Sequence, residues 1–145
     1  MQTATVGTPS EKPQLQRLRV VVADDHRPMR ETLVRLLTAE FEVVAAVTDG
    51  HAVVAEATRS EPDVLVLDIA MPGLSGIAAA TQLRAGGSTA RVVFVTMHSD
   101  REFVDRALEL GTVGFVVKDR LFADLVPAIR AVEAGQTFVS PSIAR

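Results

Sequence analysis

Five short, almost wholly apolar runs are spaced along the chain, and between them apolar residues recur every three or four positions. The runs are LRVVVA (Leu18 to Ala23), Glu42 to Val47, VLVL ahead of Asp68, RVVFVT (Arg91 to Thr96) and Gly114 to Val117. Val64-Leu65-Val66-Leu67 shows no polar alternation, which describes a strand buried on both faces. The stretches between the runs predict helices. Arg27 to Glu40 places Met29, Leu33, Leu36 and Leu37 on one face, with Pro28 in the first turn, where a missing N–H costs nothing. His51 to Arg59 turns Val53, Val54 and Ala57 inward, and an Ala-rich helix begins at Ser75 or Gly76 and ends near Arg84. Ser99 or Asp100 caps a helix from Arg101 to Leu110, which Gly111 stops. The last helix, Phe122 to Ala134, stops at Gly135 and contains Pro127, which removes one hydrogen bond and is expected to bend the axis.

Strands buried on both faces and alternating with helices demand a parallel sheet covered on each side, joined by right-handed crossovers. The fold expected is an open doubly wound α/β sheet of five parallel strands with five helices, in one domain. Residues 1–16 are polar, aperiodic and carry two prolines, so they read as a disordered N-terminal arm. The compact unit is expected over 17–137. Residues 138–145 read as the start of a linker, because Ser140-Pro141 is a helix-start signal, and a helix opening there would be incomplete at Arg145.

Composition narrows the chemistry. A length of 145 residues with 48% hydrophobic content is enough for one core. Without cysteine there is neither a disulfide nor a cysteine zinc site, and His26 and His51 have no ligand partner at useful spacing. No apolar run approaches the ~18 residues of a membrane span, and no signal peptide opens the chain. A formal charge of −3 argues against this chain gripping a nucleic-acid backbone by itself. A soluble, cytoplasmic domain is expected.

In open parallel sheets, sites form beyond the C-terminal strand ends. Those ends carry Asp24 and Asp25 after the first strand, Asp68 after the third, Thr96 after the fourth and Lys118 after the fifth. Each has a bland explanation alone: a helix cap, a turn residue, a good strand former, a solvated lysine. Jointly these fail, because capping does not call for polar groups at four separate strand ends. Three carboxylates at close quarters repel, so their pKa values rise or a cation sits among them. Oxygen donors without His or Cys select a hard ion, Mg²⁺ being the natural choice. Asp68 is then placed to act as a carboxylate nucleophile towards phosphorus, with Lys118 meeting a phosphoryl oxygen.

The segments VVADDH, VLVLDIAMPGLSG, VVFVTMHSD and GTVGFVVKD resemble the receiver domain of two-component response regulators, over about Leu18 to Ser142. The resemblance implies a flavodoxin-like strand order 2-1-3-4-5 and, residue by residue, a set of roles. Asp68 matches the phosphoacceptor. Asp25, Asp68 and the Ala70 backbone carbonyl match the Mg²⁺ ligands, with Asp24 acting through metal-bound water. Lys118 matches the lysine that pairs with the phosphoryl group, Thr96 the switch hydroxyl and Phe115 the switch aromatic. The implied switch has Thr96 move towards the phosphoryl group and Phe115 swing into the vacated space. Phe115 stands where Tyr is commoner, and Asp119 where many receivers have Pro. Lys118-Asp119 together with Thr96-Met97-His98 resembles the NarL/FixJ (LuxR-like) subfamily, which implies a sensor histidine kinase as partner, a homodimer on phosphorylation, and DNA binding only through a C-terminal helix-turn-helix domain. Bulky Met97 and apolar Ala70 point to slow self-dephosphorylation. The alternatives are a stand-alone or degenerate receiver used as an interaction module, a flavodoxin-like carrier, for which Asp24-Asp25 would repel a flavin phosphate, and an Asp-nucleophile phosphatase, for which Ala70 lacks the needed acid.

Overall fold

The computed structural model describes residues 17–97 and 101–141. The expected arm at 1–16, the cap at Ser99 or Asp100, His98 and residues 142–145 lie outside them. In chain order the elements are β1 (Arg19–Ala23), α1 (Arg27–Thr38), β2 (Glu42–Val47), α2 (Gly50–Ser60), β3 (Val64–Asp68), α3 (Gly76–Ala85), β4 (Arg91–Thr96), α4 (Arg101–Leu108), β5 (Val113–Val117), a 3-10 turn (Lys118–Arg120), α5 (Leu121–Glu133) and β6 (Phe138–Val139). All strand pairs are parallel, in the order β2-β1-β3-β4-β5-β6. The anticipated 2-1-3-4-5 order is therefore present with a sixth strand added beside β5. Two residues are too few to show a period, which is why β6 carries no signal of its own.

Side-chain alternation divides the interior into two layers. Val20, Val22, Val64, Val66, Val93, Val95 and Val116 face α1 and α5, where Leu33, Leu37, Leu125 and Ile129 meet them. Val21, Leu65, Leu67, Phe94 and Phe115 face α2, α3 and α4 through Val53, Ile77, Leu83 and Val104. Each such side chain contributes roughly 1.5–3 kcal/mol on full burial, so the central strands are apolar throughout because both faces are covered.

The helix starts follow local chemistry. Asp49 Oδ1 accepts from the Ala52 N–H at 2.8 Å and Ser75 Oγ from the Ala78 N–H at 3.1 Å, each satisfying a donor the helix leaves free. Helix α1 starts after His26, whose side chain makes no capping bond. Helix α5 continues through Pro127, which lies on its exposed side. The carbonyl deprived of its donor there is that of exposed Ala123, open to water, so the cost of the proline is small.

Candidate functional site

The parallel arrangement carries the C-terminal ends of β1, β3, β4 and β5 to one edge of the sheet. Asp24 continues the β1–β2 pairing by one bond, its N–H donating to the Val47 carbonyl at 3.2 Å. Its Oδ1 accepts the His26 N–H at 2.8 Å, and its carbonyl accepts from Arg30 at 3.0 Å. Both the backbone and one carboxylate oxygen are thus committed, and Asp24, at 0% exposure, aims Oδ2 into the pocket. That buried oxygen has no well-angled hydrogen-bond donor, although the Lys118 ammonium stands 2.9 Å away. Asp68 ends β3. Its Oδ1 accepts the Ala70 N–H at 3.2 Å and its Oδ2 lies 3.4 Å from Lys118 Nζ.

Gly76 makes room for this arrangement. A Cβ there would come within 2.3 Å of the Asp68 carbonyl oxygen, so only glycine lets the first turn of α3 close over the end of β3. The Gly76 N–H donates to the Ile69 carbonyl at 2.9 Å and holds the loop in place.

Asp24, Asp25 and Asp68 each offer a carboxylate oxygen, all within 4.8 Å of one another. Together with Lys118 they carry a net charge of −2 when all four are ionised. Burial pushes the Asp68 carboxyl up from its ordinary range, against Lys118, which pulls it down; Asp24 adds to the rise, and the hydrogen bonds from Ala70 and Lys118 oppose it without reversing it. The residues fit a hard divalent cation. All the donors are oxygens, their charge balances +2, and the buried Asp24 Oδ2 is an acceptor lacking a proper donor.

Of the residues singled out from sequence, the structure gathers Asp24, Asp25, Asp68 and Lys118 into one cluster. Ala70 is exposed beside them, its N–H already on Asp68. Thr96 ends β4 at the same edge, opposite Val117, and is buried on the α2–α4 side by strand alternation. Phe115 is not in the cluster. It is 0% exposed in the α2–α4 core, its ring centroid 6.3 Å from that of Phe94. An inward swing of Phe115 therefore has no exposed starting position; the ring is already inside.

A group not anticipated lies behind Lys118. Buried Ser140 donates from Oγ to Asp124 Oδ2 at 2.8 Å and accepts the Val117 N–H at 3.2 Å. Arg120 grips both oxygens of the same carboxylate, at 2.8 and 3.3 Å. The available signal was Asp124 itself, a charge on the apolar stripe of Leu121, Leu125, Ala128, Ile129 and Val132. A hollow of about 740 Å³ near Asp63, Gln82 and Arg91, at the opposite edge of the sheet, is lined by none of Asp24, Asp25 and Asp68.

The family model for the response regulator receiver domain matches residues 20–130. The chain is 35% identical over 130 residues to the response regulator GacA of Pseudomonas viridiflava, covering 88% of this chain and 61% of that protein. It is 35% identical over 133 residues to NarL of Mycobacterium tuberculosis, covering 90% and 62% respectively. It therefore spans about three fifths of the length of these curated relatives. The crystal structure of a two-component response regulator of the LuxR family from Aurantimonas sp. SI85-9A1 superposes with a TM-score of 0.83 at 35% identity, over 89% of this chain and 94% of that one. Among the described residues, no helix is long and apolar enough to cross a membrane.

Proposed function

The chain belongs to the response regulator receiver family, related to the LuxR/NarL branch, and from that premise we propose that it is a phosphorylation switch whose phosphoacceptor is Asp68. The carrying observation is the buried carboxylate pair of Asp24 and Asp68 sharing one ammonium, with Asp25 completing a three-acid cluster.

Asp68 Oδ attacks the phosphorus of a phosphodonor. The new P–O bond forms as the bond from phosphorus to the donor breaks, and the leaving group keeps the electron pair. Asp25, Asp68 and the Ala70 carbonyl would hold Mg²⁺ directly, and Asp24 through water. The ion supplies charge neutralisation for the phosphoryl oxygens. Asp68 must be ionised to attack, so burial works against it until positive charge arrives. Lys118 then turns its ammonium from the acids to a phosphoryl oxygen, and Thr96 donates its hydroxyl to another. Because Phe115 is already buried, its part in the switch is a repacking within the core beside Phe94. Full reversal of a two-state population needs roughly 5 kcal/mol of preference, a scale within reach of several charge-assisted bonds.

The donor in the cell would be a sensor histidine kinase, and phosphorylation would promote a homodimer. The receiver unit, expected over 17–137, would extend through β6 and buried Ser140, and the residues after them lead towards a DNA-binding domain in a cytoplasmic transcription regulator, in keeping with relatives longer than this chain. The test is incubation with a small phosphodonor and Mg²⁺, read by intact mass. A gain of one phosphoryl group that disappears in Asp68→Asn supports the switch. No gain leaves a degenerate receiver acting as an interaction module, and steady turnover of outside phosphoesters would mean a phosphatase.

A further inference from the structure

Lys118 ends a long flexible stem, and its usefulness depends on where that stem is rooted. The root is the 3-10 turn Lys118–Arg120, with an exposed residue, Asp119, at its middle. On the near side of Lys118, the Val117 N–H donates to Ser140 Oγ at 3.2 Å. On the far side, Arg120 Nε and its neighbouring nitrogen reach Asp124 at 2.8 and 3.3 Å. The two restraints meet, because Ser140 Oγ donates to Asp124 Oδ2 at 2.8 Å. The Ser140 N–H also donates to the Phe115 carbonyl at 2.9 Å, continuing the β5–β6 pairing. The chain then meets Pro141, and the Ser140 hydroxyl serves the Val117 N–H where a further strand residue would have done so.

We propose that Ser140 and Asp124 are positioning residues for Lys118, clamping the turn that roots it so that its ammonium reaches both the resting carboxylates and the incoming phosphoryl group. The proposal rests on the reading of Lys118 as the phosphoryl partner. It accounts for two buried polar side chains that the acidic pocket does not use, Asp124 and Ser140. The residues just past the end of α5 belong by this account to the reaction machinery, and displacing 138–140 loosens Lys118.

The experiment is a double-mutant cycle on the phosphorylation rate with a small phosphodonor at saturating Mg²⁺. Ser140→Ala is expected to lower the maximal rate on the order of 10-fold, as a displaced catalytic group does, with Mg²⁺ affinity unchanged because the three acids are untouched. In a Lys118→Met background the same substitution is expected to have no further effect, since it acts through the ammonium. Arg120→Gln, at a side chain 44% exposed, provides a second entry to the cycle without emptying a core position. Equal slowing in both backgrounds, or no slowing in the parent, overturns the proposal. An unsubstituted chain that takes no phosphoryl group overturns the proposed function and this inference with it, an outcome distinct from a parent that reacts normally and ignores Ser140→Ala.

Discussion

Of the buried aspartates that face cations, Asp68 and Asp124 have carboxyls displaced in opposite directions. Burial pushes up both Asp68 and Asp124. At Asp124 the hydrogen bonds from Arg120 and Ser140 and the Arg120 charge outweigh burial, and the carboxyl ends below its ordinary range. At Asp68 a single ammonium is divided with Asp24, whose negative charge adds to the rise, and the carboxyl ends above it. The difference is one of completion. Among the described residues, Asp124 shares its guanidinium fork and hydroxyl with no other acid, whereas Asp24 and Asp68 have one ammonium between them. A satisfied carboxylate holds structure together; one left short of donors is ready for a cation or an electrophile.

The same substitution made in both places should separate the two carboxylates most. Asp68→Asn is expected to abolish phosphoryl uptake entirely by intact mass, while Asp124→Asn keeps measurable uptake at a reduced rate. Their stabilities without metal are expected to part in sign. Asp124→Asn loses about 2–3 kcal/mol in urea unfolding, because Arg120 and Ser140 lose their charged acceptor. Asp68→Asn gains a few degrees in midpoint, because a crowded buried charge is removed. A loss at Asp68 as large as that at Asp124 would erase the distinction.

The pH dependence carries the same signs. A lowered native pKa gives Asp124 a stabilisation present above its unfolded value of 3.8 and lost as pH falls through the native one. A raised native pKa gives Asp68 the reverse, a destabilisation that sets in as pH rises through 3.8 and is complete above the native value. The wild-type advantage over Asp124→Asn should therefore vanish in acid, while that of Asp68→Asn over wild type should grow towards neutrality. Mg²⁺ adds a smaller test. At 100 times its dissociation constant it should stabilise the fold by about 2.7 kcal/mol, and its affinity should fall as acid protonates Asp68. Asp25→Asn should weaken this gain and Asp124→Asn should leave it intact; thermal melts with and without the ion decide.

The legible part of the fold was the part made of long-range regularity. Apolar strands such as Val64–Leu67 imply covered faces, covered faces imply parallel pairing, and parallel pairing puts Asp24, Asp68 and Lys118 at one edge. What escaped was held by single contacts. Strand β6 is two residues long, and the Ser140-Pro141 signal, though a helix does start at Pro141, gave no hint that the Ser140 hydroxyl bonds Asp124 and Val117. The depth of Phe115 was equally hidden, since a strand pattern tells which face a ring takes but not whether a cavity awaits it.

The smallest effect expected concerns how long an acyl phosphate on Asp68 would last. Ala70 is exposed two residues past Asp68, and Met97 is 63% exposed just after Thr96. Neither side chain can hydrogen-bond a water in line with the P–O bond, so hydrolysis must proceed with an unoriented nucleophile. Giving position 70 a polar amide, as Ala70→Asn, should shorten the phosphoryl half-life several-fold while leaving Mg²⁺ binding intact, because the backbone carbonyl proposed as ligand is retained. Met97→Ala should act in the same direction more weakly, by opening access without orienting the water. Half-lives followed by intact mass after removal of the phosphodonor measure both; if neither moves, hydrolysis is governed within the acid cluster, and its flank has no part in timing the switch.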